Sequence, residues 1–356
     1  MRKVLIIILL VTLAIGVVGF GYVNQEDNSK SAEKPVTKEV DVSQDKGLRP
    51  LKSGKNEVRY ISEGEEIVAN LYLPEDYAEG EKRPAIVINP PATGVKEQTI
   101  GIYAEKLSHE GFVTLAFDPR GFGESEGHPQ LQNPYRITED IKNSVSFIRT
   151  LKEVDVDNVF SMGMCAGSGY AAYATAFDSR IKAVAIVSPF LTSADDYFQA
   201  LGGSANLRKV LMPAAAKARQ QYYETGEDIM TKIVPETEEE MKLARPITIG
   251  MREYYLPGKP GDVPNWKNGL SLISTDAILS FSIFDFTNMF DAVPIYVVYG
   301  DQAITAEGAE RFYQEINGPK DKLVIEGAGH FDLYWMPEYV DPAVVSISQF
   351  LESNIK

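Results

Sequence analysis

The chain has 356 residues, 44 % of them hydrophobic, enough for one large α/β domain with a sizeable core or two smaller ones. Its formal net charge of −15 repels nucleic acid and anionic membrane surfaces, so neither is an expected partner. The single cysteine excludes an intramolecular disulfide. With only His109, His128 and His330 and no Cys/His cluster, a zinc site is not expected, while an oxygen-ligand metal site stays open.

Arg2 and Lys3 precede an uncharged stretch from Val4 to Val23, about the 20 residues that a helix needs to span a bilayer. The positive flank predicts a cytoplasmic N-terminus and an exported remainder. A cleaved secretory signal is the alternative, with Gly19-Phe20-Gly21 as the small-residue cleavage site. The first reading expects residues 1–23 to anchor the protein in the cell membrane; the second expects a secreted protein. No cysteine lies here, which excludes a lipoprotein anchor. Residues 24–50 are rich in Lys, Glu, Asp and Ser and read as a flexible tether.

The folded part, residues 51–356, opens with two β-patterned runs around Gly64, Val58 to Ile61 and Ile67 to Leu73, which predict an antiparallel hairpin. Short apolar runs then alternate with helical segments. Strands are expected at Ala85 to Asn89, Val113 to Phe117, Val159 to Met164 and Ile181 to Val187. Helices are expected around Tyr103 to His109, Arg136 to Leu151 and Gly169 to Phe177. That alternation predicts a mostly parallel sheet covered by helices on both faces. It stops at about Pro189 and resumes with strands at Ile295 to Tyr299 and Leu323 to Ile325, before a last helix from about Pro342 to Leu351. Residues 189–282 are therefore expected to form a helical lid inserted into one α/β domain.

Gly163-Met164-Cys165-Ala166-Gly167 lies between a predicted strand and a predicted helix. This is the glycine–x–nucleophile–x–glycine pattern of the nucleophile elbow of α/β hydrolases, in its required context. The nucleophile stands on a strained turn, and side chains at the two glycines would collide with the neighbouring strand and helix. Cys165 is the expected nucleophile, and the helix N-terminus behind it favours a thiolate. A small buried cysteine beside an ordinary turn is the bland alternative. His330, in Gly327-Ala328-Gly329-His330 directly after the final strand, is the expected base. His109, mid-helix, and His128, beside Pro129, are not expected to act.

An oxyanion hole needs two backbone N–H groups. Ala166 supplies one. Pro90 and Pro91 have none, so the other belongs to Ala92 or Thr93, of which Ala92 is preferred. The acid is less defined. The usual position after the strand Ile295 to Tyr299 is occupied by Ala303. Asp301 is the chosen acid, with Glu307, Asp195 and Asp196 as alternatives. A Cys–His pair can work as thiolate and imidazolium without a strong third member.

Several stretches resemble one family: Gly94-Val95-Lys96-Glu97-Gln98, Phe117-Asp118-Pro119-Arg120-Gly121-Phe122-Gly123-Glu124-Ser125, Met164 to Tyr170, and Gly329-His330-Phe331-Asp332-Leu333-Tyr334. They are similar to cysteine-nucleophile α/β hydrolases akin to dienelactone hydrolases and, more distantly, acetyl xylan esterases. The resemblance spans Val58 to the C-terminus, including Glu253-Tyr254-Tyr255 and Pro264-Asn265-Trp266. It implies a hydrolase of small ester, thioester or lactone substrates that proceeds through an acyl-enzyme and needs no cofactor. An acyltransferase on the same fold is the second expectation, and a non-enzymatic binding module the third.

Overall fold

The computed structural model describes residues 50–191, 204–242 and 246–356. The N-terminal segment and tether, Asp195 and Asp196 lie outside them. Among the described residues no helix is long and apolar enough to cross a membrane.

The sheet has eight strands in the order β1-β2-β4-β3-β5-β6-β9-β10. These are β1 (Gly54–Ser62), β2 (Glu65–Leu73), β3 (Arg83–Asn89), β4 (Val113–Phe117), β5 (Val154–Met164), β6 (Ile181–Val187), β9 (Ile295–Gly300) and β10 (Lys320–Ile325). A separate short pair joins β7 (Met230–Thr231) to β8 (Leu270–Ser271). Strands β1 and β2 form the expected antiparallel hairpin, closed by Glu63 and Gly64, both at positive φ. Strand β2 runs antiparallel to β4, and the remaining pairs are parallel.

The sequence pattern follows position in the sheet. The edge strand β1 alternates exposed and buried side chains along part of its length, as a strand with one wet face should. The central strands β4 and β6 are almost continuously apolar and buried, because helices cover both faces. Helices α2 (Pro134–Ile148), α3 (Ala166–Ala176) and α8 (Ala306–Glu315) pack on one face through Ile141, Val145, Ala171, Ala309 and Phe312. Helices α1 (Thr99–His109) and α9 (Pro337–Glu352) cover the other through Tyr103, Leu107, Val344 and Ile347.

Several elements differ from expectation. Strand β5 begins at Val154 rather than Val159, because a bulge lets its polar start pair with Arg83. The last helix starts at Pro337, whose ring suits a first turn, so Pro342 lies inside it. Helix α8 was not legible as a separate element; its apolar positions are few, and its burial comes from packing against β9.

Between β6 and β9 lie α4 (Ser204–Thr225), α5 (Glu238–Met241), α6 (Pro246–Tyr255), the β7–β8 pair and α7 (Thr275–Ser280). The expected insertion is therefore largely helical. It follows the C-terminal end of β6, the same sheet edge at which Cys165 leaves β5.

Candidate active site

Cys165 is the single residue between the end of β5 and the start of α3, with φ 53° and ψ −122°. Positive φ at a residue with a Cβ is strained and needs support from its surroundings. That support is visible. The Cys165 N–H donates to the Val187 carbonyl at 3.1 Å, and the Ser168 hydroxyl donates to the Gly163 carbonyl at 3.0 Å. The flanking glycines are required by contact. A Cβ on Gly163 would stand 2.2 Å from the Gly167 carbonyl oxygen, and one on Gly167 would stand 2.2 Å from the Pro90 oxygen.

The loop after β3 passes over this turn. Ala92 borders the same cavity as Cys165 and Ala166. The Thr93 N–H donates to Gln132 Oε1 at 3.2 Å, which commits it and leaves Ala92 as the better second donor. Farther along the loop, Lys96 is buried with its ammonium 2.9 Å from Asp118, and its backbone N–H donates to the same carboxylate at 2.7 Å. Glu124 and Glu97 also pair with Lys96. This cluster ties the loop after β3 to the loop after β4, and it accounts for two of the sequence stretches singled out above.

His330 is buried, on a loop stitched at three points. Asp332 accepts from the Gly329 N–H at 2.7 Å, Asp301 accepts from the Gly327 N–H at 2.8 Å, and the Ser188 hydroxyl donates to the His330 carbonyl at 2.7 Å. Its Nδ1 faces the Thr305 hydroxyl at 2.8 Å, and its Nε2 faces the Tyr334 hydroxyl at 3.4 Å.

The acid expected in Asp301 therefore does not meet the imidazole. The Asp301 N–H and side chain both engage the start of the loop after β10, at the exposed rim. Glu307 is exposed in the first turn of α8. The position beside Nδ1 belongs to a neutral hydroxyl, and a search for carboxylates in the sequence passes over it.

Burial without a charged partner also sets protonation. It pushes the Cys165 thiol up to about 11, against opposing hydrogen bonds from Tyr334 and the Ala166 N–H. It holds the His330 imidazole down at about 3. At neutral pH the two groups rest as thiol and neutral imidazole. Burial opposes the thiolate that the helix N-terminus favours. Tyr334, which the sequence offered only as the end of the Gly329-His330-Phe331-Asp332-Leu333-Tyr334 stretch, lines the same cavity as Cys165 and faces the imidazole.

A cavity of about 140 Å³ opens over Cys165. Body residues such as Ala92, Gln132 and Tyr170 form one side. The insertion forms the other, through Ile233, Met251, Tyr255, Leu270 and Phe281 among others. Its lining is predominantly apolar. Trp266 does not reach the cavity but stacks behind Tyr255, with ring centroids 4.9 Å apart. His109 is exposed, 3.9 Å from Glu75. His128 pairs with Asp228 of the insertion at 2.6 Å and lies against Tyr222, away from Cys165. Among the described residues no group of three His, Cys, Asp or Glu side chains could hold a metal ion.

A sheet of this order with a strained elbow residue between β5 and the following helix defines the α/β-hydrolase class. A family model described as alpha/beta hydrolase fold matches residues 84–224. The chain is 33 % identical over 298 residues to the uncharacterized protein YcjY of Escherichia coli K12, covering 81 % of this chain and 94 % of that one. It is 23 % identical over 276 residues to the acyltransferase drtE of Aspergillus calidoustus, covering 75 % and 85 %. It is 22 % identical over 265 residues to a thiohydrolase of Eupenicillium brefeldianum, covering 72 % and 82 %. The solved structure of hypothetical protein PA2218 from Pseudomonas aeruginosa superposes with a TM-score of 0.76 at 27 % identity, over 91 % of this chain and all of that one. The chain belongs to the α/β-hydrolase family.

Proposed function

We propose that this chain hydrolyses small ester, thioester or lactone substrates with an apolar acyl part, through a thioester on Cys165. The observation that carries the reading is the strained Cys165 turn opening into an apolar cavity, with His330 buried beside Tyr334 of the cavity wall. The thiol sulfur attacks the carbonyl carbon as its proton passes to His330. The carbonyl electron pair moves onto oxygen, which the N–H groups of Ala166 and Ala92 stabilise. Collapse expels the leaving group, which takes the proton held by the imidazole. Water then attacks the thioester with His330 as base and regenerates the thiol.

Neutral resting partners favour this serine-like sequence, in which the proton leaves as the nucleophile attacks, over a preformed thiolate. Cys165→Ala should abolish turnover of p-nitrophenyl esters and lactones, and mass spectrometry of quenched wild-type enzyme should find an acyl group on Cys165. Full activity in Cys165→Ala would sink the reading.

Acyl transfer is the second reading. It is favoured by the apolar cavity, which admits little water, and by similarity to one relative named an acyltransferase alongside one named a thiohydrolase. Product analysis with and without alcohol, amine or thiol acceptors separates it from hydrolysis.

A further inference from the structure

We propose that the Tyr334 hydroxyl is a catalytic proton relay between Cys165 and His330. The proposal rests on the reading of Cys165 as nucleophile and His330 as base. Two observations define it. The Tyr334 oxygen is 3.4 Å from His330 Nε2, and Tyr334 lines the same cavity as Cys165. The side chain of His330 bonds to Thr305 and Tyr334, with no direct bond to the sulfur among the described residues. The hydroxyl thus stands at the Nε2 side of the imidazole, on the wall of the cavity that Cys165 lines.

Its position is held from several sides. Tyr334 is 1 % exposed. Its N–H donates to the Phe331 carbonyl at 3.0 Å, and the Tyr103 hydroxyl donates to the adjoining Leu333 carbonyl at 2.9 Å. Tyr254 packs edge-on against its ring at 5.1 Å and Phe331 at 5.0 Å. A tyrosine caged in this way presents its oxygen at one point, and reorientation would require repacking the cage.

The tautomer follows from the base role. Nδ1–H donates to Thr305 Oγ1, which leaves a lone pair on Nε2. The Tyr334 O–H donates to that lone pair, and the Cys165 S–H donates to the tyrosine oxygen. On attack, the S–H bond breaks and its proton bonds to the tyrosine oxygen, while the original tyrosine proton bonds to Nε2. The sulfur pair forms the S–C bond and the carbonyl π pair moves to oxygen. Tyrosine is neutral before and after, as it must be where burial raises its hydroxyl far above the ordinary range. The reverse relay delivers the proton to the leaving group.

Tyr334→Phe removes the oxygen and keeps the ring. It should lower kcat/KM for a p-nitrophenyl ester by about 10²-fold or more, the scale of assisted proton transfer. It should also slow iodoacetamide alkylation of Cys165. In mixed light and heavy water the wild-type rate should depend on two transferred protons, and that two-proton curvature should vanish in the variant. A wild-type rate in folded Tyr334→Phe, or a faster one, would overturn the relay; a faster one would make the hydroxyl a barrier between sulfur and imidazole. Should Tyr334→Phe fail to fold, fluorinated tyrosines at position 334 keep the shape and change only the acidity of the hydroxyl; a rate indifferent to that acidity would equally overturn the proposal. Failure of the nucleophile reading is distinguishable, because it would leave Cys165→Ala active and Cys165 unacylated.

Discussion

At the scale of single residues, the proposed chemistry turns on two neutral groups, the half-buried Cys165 thiol and the buried His330 imidazole. The imidazole of His330 is held at about 3 against an ordinary 6.5. Activity should therefore stay level as pH falls through 6.5, where an exposed imidazole would protonate and stop acting as a base. Alkylation of Cys165 by iodoacetamide should keep rising with pH toward about 11 rather than level off near neutrality. A pH–rate profile and an alkylation profile check both; an alkylation plateau near neutral pH would reveal a preformed ion pair. The same depression acts on stability. The unfolded chain takes up this proton first, so His330 favours unfolding increasingly as pH falls from 6.5 toward about 3. Melting temperature should fall less steeply over that window in His330→Gln than in the wild type.

Thr305 and Asp301 test which group orients the imidazole. Thr305→Val removes the only side chain at Nδ1 among the described residues and should cost about 10-fold or more in kcat/KM, the loss typical of a partner that orients a catalytic group. Asp301→Asn keeps an oxygen for the Gly327 N–H and should leave the rate close to wild type. Equal losses in both would restore the carboxylate to the mechanism.

At the scale of elements, the insertion between β6 and β9 contributes the cavity wall opposite the oxyanion loop. We expect it to act as a lid that selects substrates. Tyr255 lines the cavity, whereas Trp266 supports it from behind by stacking. Tyr255→Ala should enlarge the acyl site and shift preference toward longer acyl chains. Trp266→Ala should mainly lower stability, by about the few kcal/mol that loss of a packed aromatic costs, and so lower the melting temperature. Relative rates over an ester series, read beside melting curves, separate the two roles. Unchanged chain-length preference in a folded Tyr255→Ala would remove the lid from substrate selection.

At the scale of the whole molecule, the described domain is a closed α/β unit, and the reading of residues 1–23 as an anchor is a proposal from composition. Full-length protein should remain with washed membranes and be open to protease added outside the cell. A free mature form beginning near Tyr22 would show that cleavage prevails.

Sequence by itself determined the parts governed by local periodicity and sterics. Continuous apolar runs marked β3, β4, β5 and β6, because strands buried on both faces leave no polar alternation to misread. The glycine spacing around Cys165 identified the elbow, because a Cβ at either glycine meets backbone about 2.2 Å away. The two prolines after Asn89 narrowed the choice of the proposed oxyanion donor. Tertiary structure alone decided what faces the imidazole. Thr305 and Asp301 stand in one loop four residues apart, and only the stitching of that loop to the one after β10 turns Asp301 to the rim and Thr305 to Nδ1. It alone brought Tyr334 to the imidazole and to the cavity over Cys165, by packing the turn after His330 beneath Tyr254 of the insertion. The charge state was likewise decided by burial, a property of the assembled layers that no spacing of residues along the chain carries.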